Sequence, residues 1–161
     1  MGRPGADRGR LLHNYPLGYC PPQYRWNVAE RTVIDDALPL LGLGVRECGV
    51  TAHVHPDRKH VIYLPRRSRW ASTEWRAATL AHEVMHALGD WVAPDRREES
   101  IAEIGAILLF EWLGWEYPDE EFSYLLSRDT LGWCPEDVLD EVVDRLGHVI
   151  QALLQLNNPT P

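Results

Sequence analysis

The stretch Thr79-Leu-Ala-His-Glu-Val-Met-His-Ala-Leu-Gly89 decides how this sequence is interpreted. It places His82 and His86 four residues apart, with Glu83 directly after the first histidine. On a helix, residues i and i+4 lie on one face, about one turn apart, so both imidazoles can bind one ion. The spacing H-E-x-x-H therefore predicts a zinc site, with His82 and His86 as ligands and Glu83 as the general base.

The surrounding sequence predicts the helix that this motif requires. Ser72 is a suitable N-cap residue, and no glycine or proline interrupts residues 73–88. Gly89 then stands where a glycine commonly ends a helix. The motif and its helical setting together favour a zinc metallopeptidase over a surface helix with solvated histidines.

Composition limits the classes of protein that remain. A chain of 161 residues is long enough for one domain with a sizeable core, and we expect a single domain over residues 27–157 after a partly disordered arm over residues 1–26. The net charge of −8 disfavours binding to nucleic acid. Three cysteines without a C-x-x-C pair indicate reduced thiols in a cytoplasmic protein. We find neither a signal peptide nor an apolar run long enough for a membrane span.

The rest of the chain predicts a mixture of helices and a small sheet. A helix from Asn27 or Val28 to Leu41 should be distorted by Pro39. The runs 49–54 and 60–64 flank a turn and read as a hairpin, and Pro65 indicates that its second strand is a sheet edge, open to an extended substrate. Further helices are expected over residues 96–113, 119–128 and 135–156, the last with Pro135 at its first position.

A zinc site needs a third protein ligand, and the helix over residues 96–113 carries the candidates. We assign Glu99 to the metal and Glu103, one turn later, to the free ring N–H of a ligating histidine, although the two roles could be exchanged. Glu98 is rotated about 100° away, so we expect it to lie off the metal-binding face. Asp90, one turn after His86, is the alternative ligand. Glu99 and Glu103 could instead pair with arginines at the start of the helix, such as Arg96 and Arg97.

Three segments in this order resemble a known family. They are the strands 53–64 ending in Leu64-Pro65, the helix with Ala78-Thr79-Leu80-x-His82-Glu83-x-x-His86, and the run Glu98-Glu99-x-x-Ala102-Glu103-Ile-Gly105-Ala. Together they resemble the zincin-like metallopeptidase domain of ArdC-type antirestriction proteins over about residues 28–156. Where that family commonly has Thr-Gly-His after the motif, this sequence has Leu88-Gly89-Asp90. Glu99 and Glu103 are also similar to the E-x-x-x-D pair of thermolysin-like gluzincins.

The sequence therefore predicts an α+β fold: a compact zincin-like domain whose small β-sheet packs on the H-E-x-x-H helix and on further helices. The predicted function is hydrolysis of a peptide or protein substrate with one Zn²⁺ per chain. A metal-stabilised binding or regulatory module of phage or plasmid type, without turnover, is the alternative. The oligomeric state stays open.

Overall fold

The computed structural model describes residues 30–48, 51–70, 72–93, 95–118 and 136–157. The predicted N-terminal arm, the helix over residues 119–128 and Pro135 lie outside these residues. In chain order the elements are α1 (Val33–Ala37), β1 (Gly44–Glu47), β2 (His53–Val54), β3 (Val61–Leu64), α2 (Thr73–Leu88), α3 (Arg96–Leu113) and α4 (Glu136–Asn157), with short 3₁₀ turns between some of them.

Helix α1 is shorter than the sequence predicts. Thr32 has an extended backbone, and its N–H donates to the Asp35 carboxylate at 2.8 Å, so the helix begins at Val33. At its other end the chain tightens into a 3₁₀ turn over Leu38–Leu41 that contains Pro39, whose ring lacks the N–H of a continued α-helix. Gly42 follows with a φ of 70°, a conformation that glycine adopts without strain.

The three strands form one mixed sheet in the order β1-β3-β2. Strand β1 runs parallel to β3, with Gly44 opposite Val61, and β2 runs antiparallel, with His53 opposite Tyr63. The prediction that β3 is a sheet edge is therefore wrong, because β3 is hydrogen-bonded on both sides. Pro65 comes one residue after β3 and ends the strand without needing an edge.

Strand β3 joins the sheet to the helices. Its side chains alternate, and the two fully buried ones, Ile62 and Leu64, belong to the same apolar core as Leu80 and Val84 of α2. The sheet thus covers one side of α2, while α3 and α4 cover others. This arrangement confirms the predicted α+β class.

Helix α2 has the predicted bounds. Ser72 caps it, with the side-chain oxygen accepting a hydrogen bond from the Trp75 N–H at 3.2 Å. The helix ends before Gly89, which has a φ of −85° and not the left-handed conformation of many C-terminal glycines. All residues from Arg76 to His86 are buried, so the H-E-x-x-H segment lies inside the domain.

Helix α3 also has the predicted bounds. Asp95 caps its start by accepting from the Glu98 N–H at 2.8 Å, and Gly114, with a φ of 70°, follows its end. It packs closely on α2 at Gly105, where a Cβ would come within 2.8 Å of the Met85 side chain. A glycine at this position lets the two helices approach.

Helix α4 closes the domain against α3 and α1. Val138, Val142 and Val149 are buried, whereas Leu139 is 39% exposed. Arg145 is buried on the same side of the helix. Within the described residues, no helix combines the length and apolar character that a membrane crossing requires.

A buried ion pair holds α1 to α2. The Arg76 guanidinium donates to both Asp35 carboxylate oxygens, at 2.8 and 2.7 Å, and both side chains are at most 5% exposed. Burial by itself would raise the pKa of Asp35, but the hydrogen bonds from Arg76 and Thr32 outweigh it and hold the pKa below its ordinary value.

Replacing Asp35 with Ala should lower the free energy of unfolding by about 3–5 kcal/mol, because it leaves a buried guanidinium with incomplete pairing. The neighbouring Asp36→Ala is the matched control: its ion pair with Arg31 is exposed, so we expect a loss below about 1 kcal/mol. Urea denaturation of the metal-free proteins measures both values.

The pH dependence follows from the lowered pKa of Asp35. Its stabilising effect is fully present above the unfolded-state pKa, about 4, and is lost as the pH falls through the lower folded-state value. The difference between wild type and Asp35→Ala should therefore shrink at acidic pH. A difference that is constant from pH 7 to pH 3 would contradict this account.

Candidate metal centre

Helix α2 brings the two histidines of the motif together. Four residues apart on one helix, His82 and His86 have their Nε2 atoms 3.0 Å from each other, and both side chains are about 95% buried. Their rings lie edge to face, with centroids 4.7 Å apart. Two nitrogen lone pairs at this distance repel each other when they are buried, so a proton or a metal cation between them would stabilise the arrangement.

Helix α3 supplies a carboxylate to the same place. The Glu99 Oε2 atom lies 3.4 Å from the His82 Nε2 and 3.7 Å from the His86 Nε2. One ligand atom from each of these three residues lies within 4.8 Å of the others, so the group could hold a metal ion. The structure therefore brings together the three residues that the sequence selected as ligands.

The other nitrogen of His82 faces a second carboxylate. Its Nδ1 lies 2.8 Å from Glu103 Oε2, and the Tyr117 hydroxyl donates to the other oxygen of Glu103 at 2.9 Å. A histidine whose Nδ1–H donates to a carboxylate keeps its Nε2 lone pair for an ion. Glu103 therefore faces the nitrogen of His82 that points away from His86 and Glu99.

The prediction for Glu98 is wrong. Glu98 is buried, and its Oε1 atom lies 3.0 Å from the His86 Nδ1, so it faces His86 as Glu103 faces His82. Arg145 of α4 donates to both Glu98 oxygens, at 2.6 and 2.8 Å. Helix α3 runs antiparallel to α2, so His86, one turn after His82, meets Glu98, which precedes Glu103 by five residues. This pairing depends on how α3 packs on α2, so no local pattern in the sequence points to Glu98.

Glu83 lies in the same buried group and is 6% exposed. Burial raises its pKa, and the neighbouring Glu99 carboxylate raises it further, while His82 and His86 oppose the shift. The raised pKa brings this carboxylate closer to the neutral pH range than a free glutamate.

The charges around the two imidazoles fit a cation. Three buried carboxylates, on Glu83, Glu98 and Glu103, lie near them, together with the partly exposed carboxylate of Glu99. Burial by itself would lower the pKa of His82, but hydrogen bonds to Glu103 and Glu99 outweigh it and raise the pKa to about 10. Two nitrogens and one oxygen are a usual donor set for zinc in proteins.

The alternative ligand Asp90 lies apart from this group. Its side chain is fully exposed, and its carboxylate lies 3.7 Å from the Lys59 ammonium. The chain instead places Trp91 against the centre: its Nε1–H donates to the His86 carbonyl at 2.6 Å, and its ring meets the His86 ring edge to face at 5.6 Å. Sequence reasoning did not identify Trp91, because a tryptophan in a connector carries no periodic signal.

The comparisons with known proteins include a similarity to a solved structure. No family model matches the sequence, and no curated protein matches it. The chain is similar to the Mn(II)-bound crystal structure of the antirestriction protein ArdC from plasmid R388, with 24% sequence identity and a TM-score of 0.49. The alignment covers 83% of this chain and 55% of that one, so this chain spans about half the length of ArdC. A similarity at this level assigns no role to any residue of this chain.

Binding of a divalent cation should release protons, because ligating histidines must be neutral and the raised pKa of His82 keeps it protonated at pH 7. We expect at least one proton per ion and an apparent affinity that falls from pH 8 to pH 6. Calorimetric titration of zinc into chelator-treated protein, in two buffers of different ionisation enthalpy, measures the protons released. A heat of binding that does not depend on the buffer would contradict the prediction.

Proposed function

We propose that this chain is a metal-dependent peptidase in which His82, His86 and Glu99 hold one divalent cation and Glu83 is the general base. The convergence of the three donor atoms within 4.8 Å, beside a buried glutamate next to one of the ligands, carries the proposal. Two histidines and a carboxylate leave a coordination position for water or substrate, as catalytic zinc sites require.

A cation bound there would polarise the carbonyl group of the substrate and would lower the pKa of a bound water molecule to about 7. Glu83 would accept a proton from that water on its carboxylate and return it to the departing amine. Its burial favours this role, because a raised pKa brings a carboxylate closer to neutral pH. Glu103 and Glu98 would hold the two imidazoles in the tautomer that directs Nε2 to the ion.

Zinc is the cation that we propose, on the basis of the donor set. A site with two imidazoles and one carboxylate also suits Mn²⁺ and Fe²⁺, so the identity of the metal needs direct measurement. Metal analysis of the purified protein, followed by titration with zinc and manganese separately, compares them.

The substrate that we propose is a peptide or protein. Strand addition to β3 is excluded, because both of its edges are already paired within the sheet. A cytoplasmic location and the absence of a nucleic-acid partner stay predictions from composition.

Alanine variants of the acidic residues on α3 should have different effects on metal binding. Glu99→Ala leaves two histidines, too few for a tight site, so we expect it to lose the metal. Glu103→Ala should weaken zinc binding about 10- to 100-fold, because the His82 ring loses its carboxylate partner. Glu111→Ala, an exposed acid on the same helix, is the control and should bind like wild type.

Zinc titration against a chromophoric chelator measures these affinities. If Glu103→Ala lost the metal and Glu99→Ala only bound it more weakly, Glu103 would be the ligand and Glu99 the partner of the histidine ring. Wild-type affinity in both would place the third ligand elsewhere.

The variant Glu83→Gln separates a peptidase from a binding module that shares the same ligands. An amide cannot accept the proton of a water molecule, so the variant should keep zinc and the fold but lose hydrolysis by at least about 100-fold. Cleavage of a defined peptide library, followed by mass spectrometry, measures the activity. Cleavage must depend on Glu83 and stop with a chelator. Loss of metal by Glu83→Gln would make Glu83 a ligand, and a wild type that binds zinc without cleaving any peptide would favour the binding module.

A further inference from the structure

The buried Arg145 connects the last helix to the metal centre. Its guanidinium donates to Glu98 with both terminal nitrogens, at 2.6 and 2.8 Å, and to the Met85 carbonyl at 2.9 Å. It also pairs with Glu141, one turn earlier on α4. The Arg145 side chain is 2% exposed, so these contacts lie inside the domain.

One oxygen atom joins this ion pair to the candidate ligand. Glu98 Oε1 accepts from the Arg145 guanidinium at 2.6 Å and lies 3.0 Å from the His86 Nδ1. The planar guanidinium binds both carboxylate oxygens at once, which fixes the plane of the carboxylate as well as its position. A fixed carboxylate in turn fixes the tautomer and the rotation of the His86 ring.

The fold also makes room for this contact. Gly89, directly after α2, has a φ of −85°, which any residue adopts, so its backbone does not require glycine. A Cβ at Gly89, however, would overlap the Arg145 guanidinium. The absence of a side chain at Gly89 thus allows Arg145 to reach Glu98.

Each histidine faces a carboxylate that has a partner of its own. The Tyr117 hydroxyl donates to the carboxylate beside His82, and the Arg145 guanidinium pairs with the carboxylate beside His86. Stability alone gives little reason for a buried arginine here, because apolar side chains of similar size commonly replace buried ion pairs without loss. Its place behind His86 gives a functional reason.

We propose that Arg145 is a positioning residue of the metal centre: it holds Glu98 against the His86 Nδ1, so that the docking of α4 is a requirement for tight binding of the cation. This rests on the proposed metal site. A positively charged arginine close to a cation site could instead weaken binding through its charge, and the two effects predict opposite results.

The test compares Arg145→Met and Arg145→Lys with wild type, using zinc affinity measured against a chromophoric chelator at one pH. Lysine keeps the charge but cannot bind both oxygens in one plane. Positioning predicts that both variants bind zinc about 10- to 100-fold more weakly. An effect of charge predicts that the Lys variant resembles wild type and that the Met variant binds more tightly, and this outcome would overturn the proposal. Asp144→Asn, which removes an exposed pair with His148 on the same helix, is the control and should not change the affinity.

A second measurement separates positioning from a general loss of structure. In zinc-loaded protein with ¹⁵N-labelled histidine, the Nδ1–H protons of His82 and His86 should give two slowly exchanging signals. In Arg145→Met the His86 signal should be lost and the His82 signal kept. If both signals and the zinc affinity are unchanged, Arg145 does not position His86.

A variant that does not fold and a wild type that binds no metal would lead to different conclusions. If Arg145→Met does not fold, the double variant Glu98→Gln with Arg145→Met removes both buried charges and should fold, because no unpaired ion is left. It should bind zinc more weakly than wild type, and unchanged affinity in it would overturn the proposal. If wild type itself binds no divalent ion, the proposed metal site fails instead.

Discussion

The structure depends on the contact between α2 and α3, where two buried imidazoles meet three buried carboxylates and the partly exposed carboxylate of Glu99. Carboxylates buried together repel one another and lose hydration, so such a group is stable only when positive charge is built in. Arg145 supplies one such charge next to Glu98. The other charge comes from the histidines as protonated rings with a raised pKa or, in the proposed function, from a divalent ion bound to them.

This requirement shapes the packing around the site. The two helices approach closely at Gly105, where Met85 fills the space that a Cβ would take, and the distances between imidazoles and carboxylates follow from that approach. At the other end, Gly89 leaves room for the guanidinium that neutralises Glu98. Both glycines therefore allow close approach: Gly105 lets α3 pack on α2 against Met85, and Gly89 leaves room for the buried Arg145.

The parts of the fold that could be predicted are those with local causes. The bounds of α2 and α3 follow from N-caps and terminal glycines that lie within a few residues of each end, so the sequence was sufficient for them. Helix α1 and the sheet were predicted less well. The place of β3 between a parallel and an antiparallel neighbour depends on β1, which lies 14 to 20 residues earlier in the chain and contributes no signal to the β3 sequence.

The sequence by itself determined the group His82, Glu83 and His86, because an i, i+4 spacing on one helix needs no tertiary information to bring two side chains together. It also selected the helix that faces them. Only the tertiary structure decided which acids on that helix meet which histidine, because Glu98 and Glu99 differ by a rotation of about 100° that matters only once α3 is packed on α2. Arg145 lies on α4, 47 residues beyond Glu98 in the chain, and only the folded chain brings the two together.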